Sequence, residues 1–279
     1  MTEGVTLAGV VQMTSTADVG RNLARAGALV QEAVRRGAAF VALPENVAYM
    51  GPEGGKLALA EDFVVGEIPA GPAVGAAVRA VAAASGAWVL WGGVPERIAG
   101  DARRTYNTAV VVSPDGRVAA RYRKVHLFDV ALADGTVLTE SQSVAPGEGV
   151  TAVDTPVGRV GLSICYDVRF PELYRALVDQ GATVLTVPAA FTVTTGRDHW
   201  HTLLKARAIE SQCHLLAPAQ WGSHGDGRTT YGHALVIDPW GTVLAECGDG
   251  EGVAVAPIDA ARTGRVRATL PSLAHRRMG

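Results

Sequence analysis

The sequence predicts an α/β fold in which two mixed β-sheets pack together with helices outside, in one domain spanning residues 1–279. Three observations support this prediction. Tight turns join several predicted strands into hairpins, and strand–helix units alternate with those hairpins. No Ser- or Pro-rich linker and no solenoid-type repeat interrupts the 279-residue chain. A chain of this length is long enough to bury a large core.

Apolar periodicity predicts strand–helix units in the first part of the chain. Gly37 suits the C-cap of the first helix, and Pro44 ends the second strand. The predicted elements are, in order, strand 5–13, helix 21–36, strand 38–43, helix 72–85 and strand 87–93.

Hairpins dominate the rest of the chain. Ser-Pro-Asp-Gly at 113–116 has the turn chemistry that joins two strands. The predicted hairpins span residues 106–123, 153–164 and 234–246. The strand–helix units between the last two comprise strand 184–187, helix 198–213 and strand 215–218. A last strand, 252–257, precedes a short Arg-rich helix.

Composition narrows the possible classes of function. Hydrophobic residues make up 48% and charged residues 19%, which is typical of a globular protein. The net charge of −2 lacks the excess of positive charge that indicates binding to nucleic acid or to an anionic membrane. No signal peptide or transmembrane segment is evident. Three cysteines are too few for a disulfide framework and fit a reducing compartment, so we expect a cytoplasmic protein.

Cys165 stands where a predicted strand meets a predicted helix. The apolar run 160–164 ends at this cysteine, and Pro171 suits the first turn of the helix that follows. Helix N–H groups near a thiol favour the thiolate, which is the nucleophilic form. The alternative is a small buried cysteine that closes a core strand.

Two further polar residues follow apolar strands in the same way, namely Glu45 and Lys124. Residues at strand ends can converge at one mouth of a sheet. There, Glu45 could accept the thiol proton of Cys165, and Lys124 could stabilise a thiolate and a developing oxyanion. The ordinary alternatives are a glutamate that caps or pairs at a surface turn and a solvated lysine. Lysine is rare among the 25 basic residues of this chain, occurring only at Lys56, Lys124 and Lys205.

Three motifs carry a family resemblance. Leu-Pro-Glu-Asn at 43–46, Tyr-Arg-Lys-Val-His-Leu-Phe at 122–128 and Gly-Leu-Ser-Ile-Cys-Tyr-Asp at 161–167 resemble the signatures of the nitrilase, or carbon–nitrogen hydrolase, superfamily. The resemblance implies a four-layer α-β-β-α sandwich. It also implies a homodimer or larger homo-oligomer, and a glutamate–lysine–cysteine triad that needs no cofactor.

The resemblance also implies a role for each site residue. Glu45 would be the general base, Cys165 the nucleophile, and Lys124 the electrostatic stabiliser and proton donor. The backbone N–H of Tyr166 would complete the oxyanion site. Glu140 matches a second glutamate that positions the lysine, its alternative being an ordinary loop carboxylate.

Further stretches are similar to the deaminated glutathione amidase branch of that family. This similarity implies hydrolysis of an amide with a 2-oxoglutaryl acyl group through a thioester, giving 2-oxoglutarate and cysteinylglycine. The alternatives are an ω-amidase acting on 2-oxoglutaramate, a more distant nitrile hydrolase, and a catalytically silent binding or assembly module. The similar stretches are residues 190–196, 199–200, 206–213, 219–220, 231–233, 238–243, 270–271 and 275–277.

A substrate of this kind carries carboxylates, so the pocket should offer a cation. Arg169 is the candidate, because guanidinium grips a carboxylate bidentately. The alternative is an ion pair with Glu172 or Asp167. Phe191 and Thr194 follow a predicted strand and are candidates for the lining of the acyl pocket, simple packing being the alternative.

No metal is expected at the catalytic site. His199 and His201 point to different faces of a helix, and no His-Glu-x-x-His pattern occurs. Cys213 ends that helix on its apolar side and is predicted to be a core thiol, while Cys247 has no obvious partner. The expected partner is therefore a small-molecule amide, with no cofactor, nucleic acid or membrane.

Overall fold

Strands and helices alternate along the computed structural model, which describes residues 4–52, 54–131, 137–225 and 227–278. The strands are β1 (Val5–Met13), β2 (Phe40–Ala42), β3 (Trp88–Glu96), β4 (Tyr106–Val112), β5 (Val118–Arg123), β6 (Asp129–Ala131), β7 (Val137–Thr139), β8 (Thr151–Thr155), β9 (Gly158–Leu162), β10 (Val184–Thr186), β11 (His214–Ala217), β12 (Ala219–Ser223), β13 (Thr229–Tyr231), β14 (Leu235–Ile237), β15 (Val243–Glu246) and β16 (Gly252–Asp259). The α-helices are α1 (Val19–Arg35), α2 (Gly55–Ala58), α3 (Val74–Ser85), α4 (Pro171–Asp179), α5 (Val193–Ser211) and α6 (Ala260–Thr269).

Two mixed sheets form the centre of the fold. The first sheet has the order β13-β12-β1-β2-β3-β4-β5, and β16 pairs antiparallel with β1. The second has the order β15-β14-β11-β10-β9-β8. Parallel pairs lie in the middle of each sheet, and antiparallel hairpins extend them outward. Strands β6 and β7 form a separate hairpin.

The layering follows from the two-residue period of the strands. In β1, Ala8 and Val10 face the core shared by the two sheets, whereas Val11 and Met13 face α1 and α3. Both faces of β1 are therefore buried, which explains why its sequence is an almost continuous apolar run. Helices α4 and α5 cover the other side of the second sheet, with Trp200 fully buried. The predicted fold class, two mixed sheets with helices outside, is confirmed.

Helix α5 differs from its prediction. It begins at Val193 rather than at residue 198, because the Thr192 hydroxyl caps its first turn by accepting the Thr195 N–H at 3.4 Å. Strands β12 and β13 were not predicted, since both are short and depend on partners elsewhere in the chain. None of the helices in the described residues is long and apolar enough to cross a bilayer.

Gly92 lies where three chain segments meet. A Cβ at this position would overlap the Leu43 carbonyl oxygen and the Pro188 ring. The Leu43 segment leads into Glu45, and the Pro188 carbonyl accepts the Cys165 N–H at 2.9 Å. The glycine in β3 therefore allows the segments that carry Glu45 and Cys165 to approach each other.

We expect Gly92→Ala to lower the free energy of unfolding by about 1–3 kcal/mol, because the methyl group meets backbone and a proline ring that cannot rotate away. Gly264→Ala is the matched control. It lies inside α6 with open space around the added methyl, and we expect it to be neutral or to stabilise by roughly 0.5–1 kcal/mol. Urea unfolding of both variants measures the difference, and equal midpoints would refute the close approach.

Candidate active site

Cys165 opens a short 3₁₀-helix, Cys165–Arg169, directly after β9, and α4 follows from Pro171. Its backbone is left-handed, with φ of 48°, a conformation that non-glycine residues rarely adopt. The turn is held by the Asp167 carboxylate, which accepts the Ile164 N–H at 2.9 Å. The side chain is 8% exposed and lines a cavity. The fold therefore presents the thiol to a ligand while most of its surface stays dry.

The surroundings of Cys165 favour the neutral thiol. Burial raises the pKa of Cys165 well above its ordinary value, and the neighbouring Glu45 carboxylate raises it further. Lys124 and the Ala190 N–H oppose this shift without overcoming it. Burial and the Glu45 carboxylate are two effects that the sequence argument for a thiolate did not include, and both oppose it.

Glu45 follows the second strand and is buried beside the thiol. Its Oε1 accepts hydrogen bonds from Lys124 Nζ at 2.9 Å and from Asn107 Nδ2 at 3.0 Å. Its Oε2 accepts the Ala190 N–H at 3.0 Å. With three donors around one carboxylate, the position of Glu45 next to the sulfur is closely determined.

Lys124 directly follows β5 and is 2% exposed. Its ammonium donates to Glu140 at 2.8 and 3.1 Å in addition to Glu45. Burial alone would lower the pKa of Lys124, but Glu140 and Glu45 outweigh it and hold that pKa well above its ordinary value. Burial likewise opposes the effect of Lys124 on Glu140, whose pKa is lowered overall. The lysine therefore stays charged.

The structure brings together the four side chains that the sequence placed at the site. Glu45, Lys124, Glu140 and Cys165 all line one cavity of about 440 Å³. Sequence analysis missed Asn107, which also donates to Glu140 at 3.3 Å. The signal that could have found Asn107 is a lone amide within the otherwise apolar strand β4.

Tyr166 is the second residue of the 3₁₀-helix. Its N–H lies in the first turn, where a helix provides no acceptor of its own, so it can donate to a ligand. The ring packs edge-on against Phe128 and Phe170, with centroids 4.9 and 5.3 Å away. These contacts fix the peptide next to the thiol.

Asp167 links the lysine segment to the cysteine turn. Its fully buried carboxylate accepts from the Tyr122 hydroxyl at 2.8 Å and from the His126 N–H at 3.0 Å. The His126 Nδ1 lies 2.8 Å from the same carboxylate. Burial and Asp167 together raise the pKa of Tyr122, which keeps its hydroxyl a donor. Lys124 and Cys165 are therefore held by one shared anchor.

Two cations lie along the cavity in addition to Lys124. Lys56, on α2, is buried, and its charge lowers the pKa of Glu140. Arg228 donates from Nη2 to the Gly51 carbonyl at 2.5 Å, which ties its loop to the segment before α2. Sequence analysis noted the rarity of Lys56 and did not consider Arg228. The lining comprises Glu45, Asn46, Met50, Lys56, Lys124, Phe128, Val137, Leu138, Thr139, Glu140, Gln142, Cys165, Ala190, Thr192, Val193, Thr194, Gly227, Arg228, Thr229 and Thr230.

Of the three predicted substrate-binding residues, one lies in the cavity lining and two lie outside it. Thr194 lines the cavity, whereas Phe191 and Arg169 are not part of its lining. Phe191 packs against Trp200, with ring centroids 5.0 Å apart. The Arg169 guanidinium lies 5.4 Å from the centre of the Phe191 ring.

Arg169 does not form the ion pairs that were its alternative. Its guanidinium nitrogens lie 3.4 Å from His199 Nδ1. Among the residues that the structure describes, it pairs with neither Asp167 nor Glu172. The arginine therefore lies outside the cavity lining, without a carboxylate partner among the described residues.

Known proteins resemble this chain over almost its whole length. The sequence profile of the carbon–nitrogen hydrolase family matches residues 7–268. A deaminated glutathione amidase of Synechocystis sp. is 48% identical over 272 residues, which cover 97% of this chain and 97% of that protein. The deaminated glutathione amidase of Homo sapiens is 41% identical over 274 residues, covering 97% and 82%. The crystal structure of Saccharomyces cerevisiae Nit3, a member of branch 10 of the nitrilase superfamily, has a TM-score of 0.86 and 30% identity, covering 99% and 97%.

We expect iodoacetamide to alkylate Cys165 before Cys213 and Cys247, because only Cys165 among them lines the cavity and can be reached by the reagent. Glu45→Gln should shift the pH midpoint of Cys165 alkylation downward, since it removes a negative charge that raises the thiol pKa while Lys124 remains. Mass spectrometry of labelling rates against pH measures both effects.

Glu140→Gln is the control for this shift, because it removes a carboxylate that bonds Lys124 and leaves Glu45 beside the thiol. We expect its effect on the alkylation midpoint to be smaller. An unchanged or raised midpoint in Glu45→Gln would show that Glu45 does not control the thiol.

Proposed function

The chain belongs to the carbon–nitrogen hydrolase family and is an amidase, and we propose that it hydrolyses the amide of deaminated glutathione to 2-oxoglutarate and cysteinylglycine. The observation that carries this proposal is the meeting of a thiol, a carboxylate and an ammonium in one cavity. The relatives named deaminated glutathione amidase support the choice of substrate.

In the first step, Glu45 takes the proton of the Cys165 thiol. The raised pKa of the thiol supports this order, because the sulfur stays protonated until a base removes its proton. The thiolate then attacks the amide carbonyl carbon and forms a C–S bond.

The carbonyl oxygen becomes negatively charged as this bond forms. The Lys124 ammonium and the Tyr166 N–H are the donors that would stabilise it. Glu140 keeps the ammonium in place through its two hydrogen bonds. Lys124 lines the cavity and is held by these bonds before substrate binds, so this donor needs little reorganisation.

Collapse of the tetrahedral intermediate breaks the C–N bond, and the leaving amine takes a proton. We assign that proton to Glu45, which received it from the thiol. The raised pKa of Lys124 argues against the proton-donor role that the family resemblance implied, since this ammonium holds its proton tightly. Glu45 then takes a proton from water as the water attacks the thioester carbonyl carbon. The C–S bond breaks, the sulfur takes that proton back from Glu45, and 2-oxoglutarate leaves.

Deaminated glutathione has a carboxylate at each end, so its site should offer a cation to each. Lys56 and Arg228 lie along the cavity and suit the glycine carboxylate of the leaving group. Arg169 remains the candidate for the carboxylate of the acyl group. It lies outside the cavity lining but packs on Phe191, whose neighbours in sequence, Ala190 and Thr192, both line the cavity. The cavity volume of about 440 Å³ is within the range of small-molecule sites.

The runner-up is an ω-amidase that releases ammonia from 2-oxoglutaramate through the same chemistry. That smaller substrate has one carboxylate and would leave Arg228 without a role. A catalytically silent assembly module of the same fold would have no need of a charged buried cluster, which is difficult to maintain without function.

We further propose a homo-oligomer that works in the cytoplasm. Large apolar side chains are exposed at Ile209, Trp240 and Leu270, which are 50%, 52% and 50% exposed. A second copy of the chain could cover them. The three cysteines are free, which fits a reducing compartment.

We expect Cys165→Ala to fold normally and to lose amide turnover.

Lys124→Arg should lower kcat by more than ~100-fold although the charge is kept, because the larger planar group cannot keep the bonds to both carboxylates in a buried site. Lys205→Arg, at an exposed position on α5, is the matched control and should retain full activity. Steady-state kinetics measures all three, and normal turnover by Lys124→Arg would contradict the assignment.

We expect Arg228→Gln to lower kcat/KM for deaminated glutathione by about 10–100-fold, since a charge-assisted hydrogen bond contributes roughly 1.5–3 kcal/mol. Its kcat/KM for 2-oxoglutaramate should change little. Arg169→Gln should lower kcat/KM for both substrates, because both share the acyl group. Arg103→Gln, at an exposed position, should leave kcat/KM for both unchanged. Parallel losses in Arg228→Gln would contradict a leaving-group site, and faster release of ammonia from 2-oxoglutaramate by the unaltered enzyme would favour the ω-amidase.

A further inference from the structure

Three potential metal ligands meet outside the catalytic cavity. His201 lies on α5, His233 follows β13, and Glu246 ends β15. His201 Nε2 and His233 Nδ1 each lie 2.8 Å from Glu246 Oε1. His201 and Glu246 are 45 residues apart in sequence, so only folding brings these donors together.

The two imidazoles are held by packing. The Tyr231 ring lies against both, with centroids 4.4 Å from His233 and 6.2 Å from His201, and the two histidine rings are 5.5 Å apart. The Trp200 Nε1–H donates to the His233 carbonyl at 2.9 Å, and the His233 backbone is left-handed, with φ of 58°. The donor atoms are therefore aimed by the surrounding structure.

We propose that His201, His233 and Glu246 bind one Zn²⁺ ion. Two imidazoles and a carboxylate, with a fourth position open to water, are a ligand set that zinc uses. All three donor atoms lie within 4.8 Å of one another. Ligands at about 2.0–2.2 Å from a tetrahedral ion are roughly 3.3–3.5 Å apart. Each nitrogen would therefore move about half an ångström from the carboxylate oxygen, and the two nitrogens, which lie within 4.8 Å of each other, would have to reach the same spacing.

The exposure of the three side chains fits an open fourth position. His201, His233 and Glu246 are 31%, 29% and 31% exposed, so a metal ion and a bound water could enter from solvent. In the absence of metal, hydrogen bonds between the imidazoles and the carboxylate satisfy the same atoms. The ion would take the place of the shared protons.

The bound ion would join three elements behind the cavity wall. Tyr231, which packs on both histidines, donates its N–H to the Phe191 carbonyl at 2.9 Å. Its neighbour Thr230 lines the cavity. Zinc at this position would therefore stabilise the wall formed by the start of α5 and by β13, and it takes no part in the amidase chemistry.

The test measures zinc binding to the Cys165→Ala protein, because the active-site thiol and its carboxylates could bind zinc themselves. Competition with a chromophoric chelator should give one ion per chain at micromolar affinity or tighter, with a rise in the thermal unfolding midpoint. His201→Ala and Glu246→Gln should each weaken binding at least tenfold and abolish that rise. Co²⁺ in place of zinc should show the visible absorption of a tetrahedral site.

His199→Ala is the matched control, since His199 lies on the same helix and contacts Arg169 instead. Added to the Cys165→Ala protein, this substitution should leave the zinc affinity unchanged. The fold of each variant is checked by thermal unfolding in the presence of a chelator. A midpoint equal to that of the Cys165→Ala protein shows that the fold is intact. Millimolar affinity, or equal losses in His199→Ala and His201→Ala, would overturn the proposal, as would full binding by Glu246→Gln.

Discussion

The ammonium of Lys124 between the carboxylates of Glu45 and Glu140 is the interaction on which the site depends. Two buried carboxylates repel each other, and a buried ammonium without partners would lose its proton. The Lys124 ammonium lies between the two carboxyl groups with almost no access to water, and its pKa is held well above its ordinary value. Burial and the Glu45 carboxylate also raise the pKa of Cys165. The same cluster therefore stabilises the site and sets the order of the proposed proton transfers.

The scaffold holds this cluster through backbone contacts that tolerate little variation. Gly92 allows the segment before Glu45 to meet the Pro188 segment, and Pro188 in turn binds the Cys165 N–H. Asp167 joins the end of β5 to the cysteine turn from the opposite side. Because these anchors belong to both sheets, the relative position of the sheets determines the distance between base and nucleophile. This is a reason for a site built on strand ends rather than on long loops.

Local patterns in the sequence were sufficient for much of the fold and for the reacting groups. Alternating and continuous apolar runs identified β1 and the hairpins. A strand buried on one face alternates apolar and polar residues, and a strand buried on both faces is apolar throughout. The polar residues Glu45, Lys124 and Cys165 were recognisable because each follows an apolar run within a distinctive motif. The start of α5 was misjudged by five residues, because a threonine cap is a weaker signal than a hydrophobic stripe.

The sequence by itself determined the α/β class, the candidate trio of Glu45, Lys124 and Cys165, and the amidase family, because these depend on residue type and short-range order. The tertiary structure alone decided the burial that raises the pKa of Cys165, the contact of Asn107 with Glu45 and the presence of Arg228 along the cavity. It also brought His201 and His233 to one carboxylate. Desolvation and distance between remote segments arise only when the sheets pack together, and spacing along the chain contains no information on either.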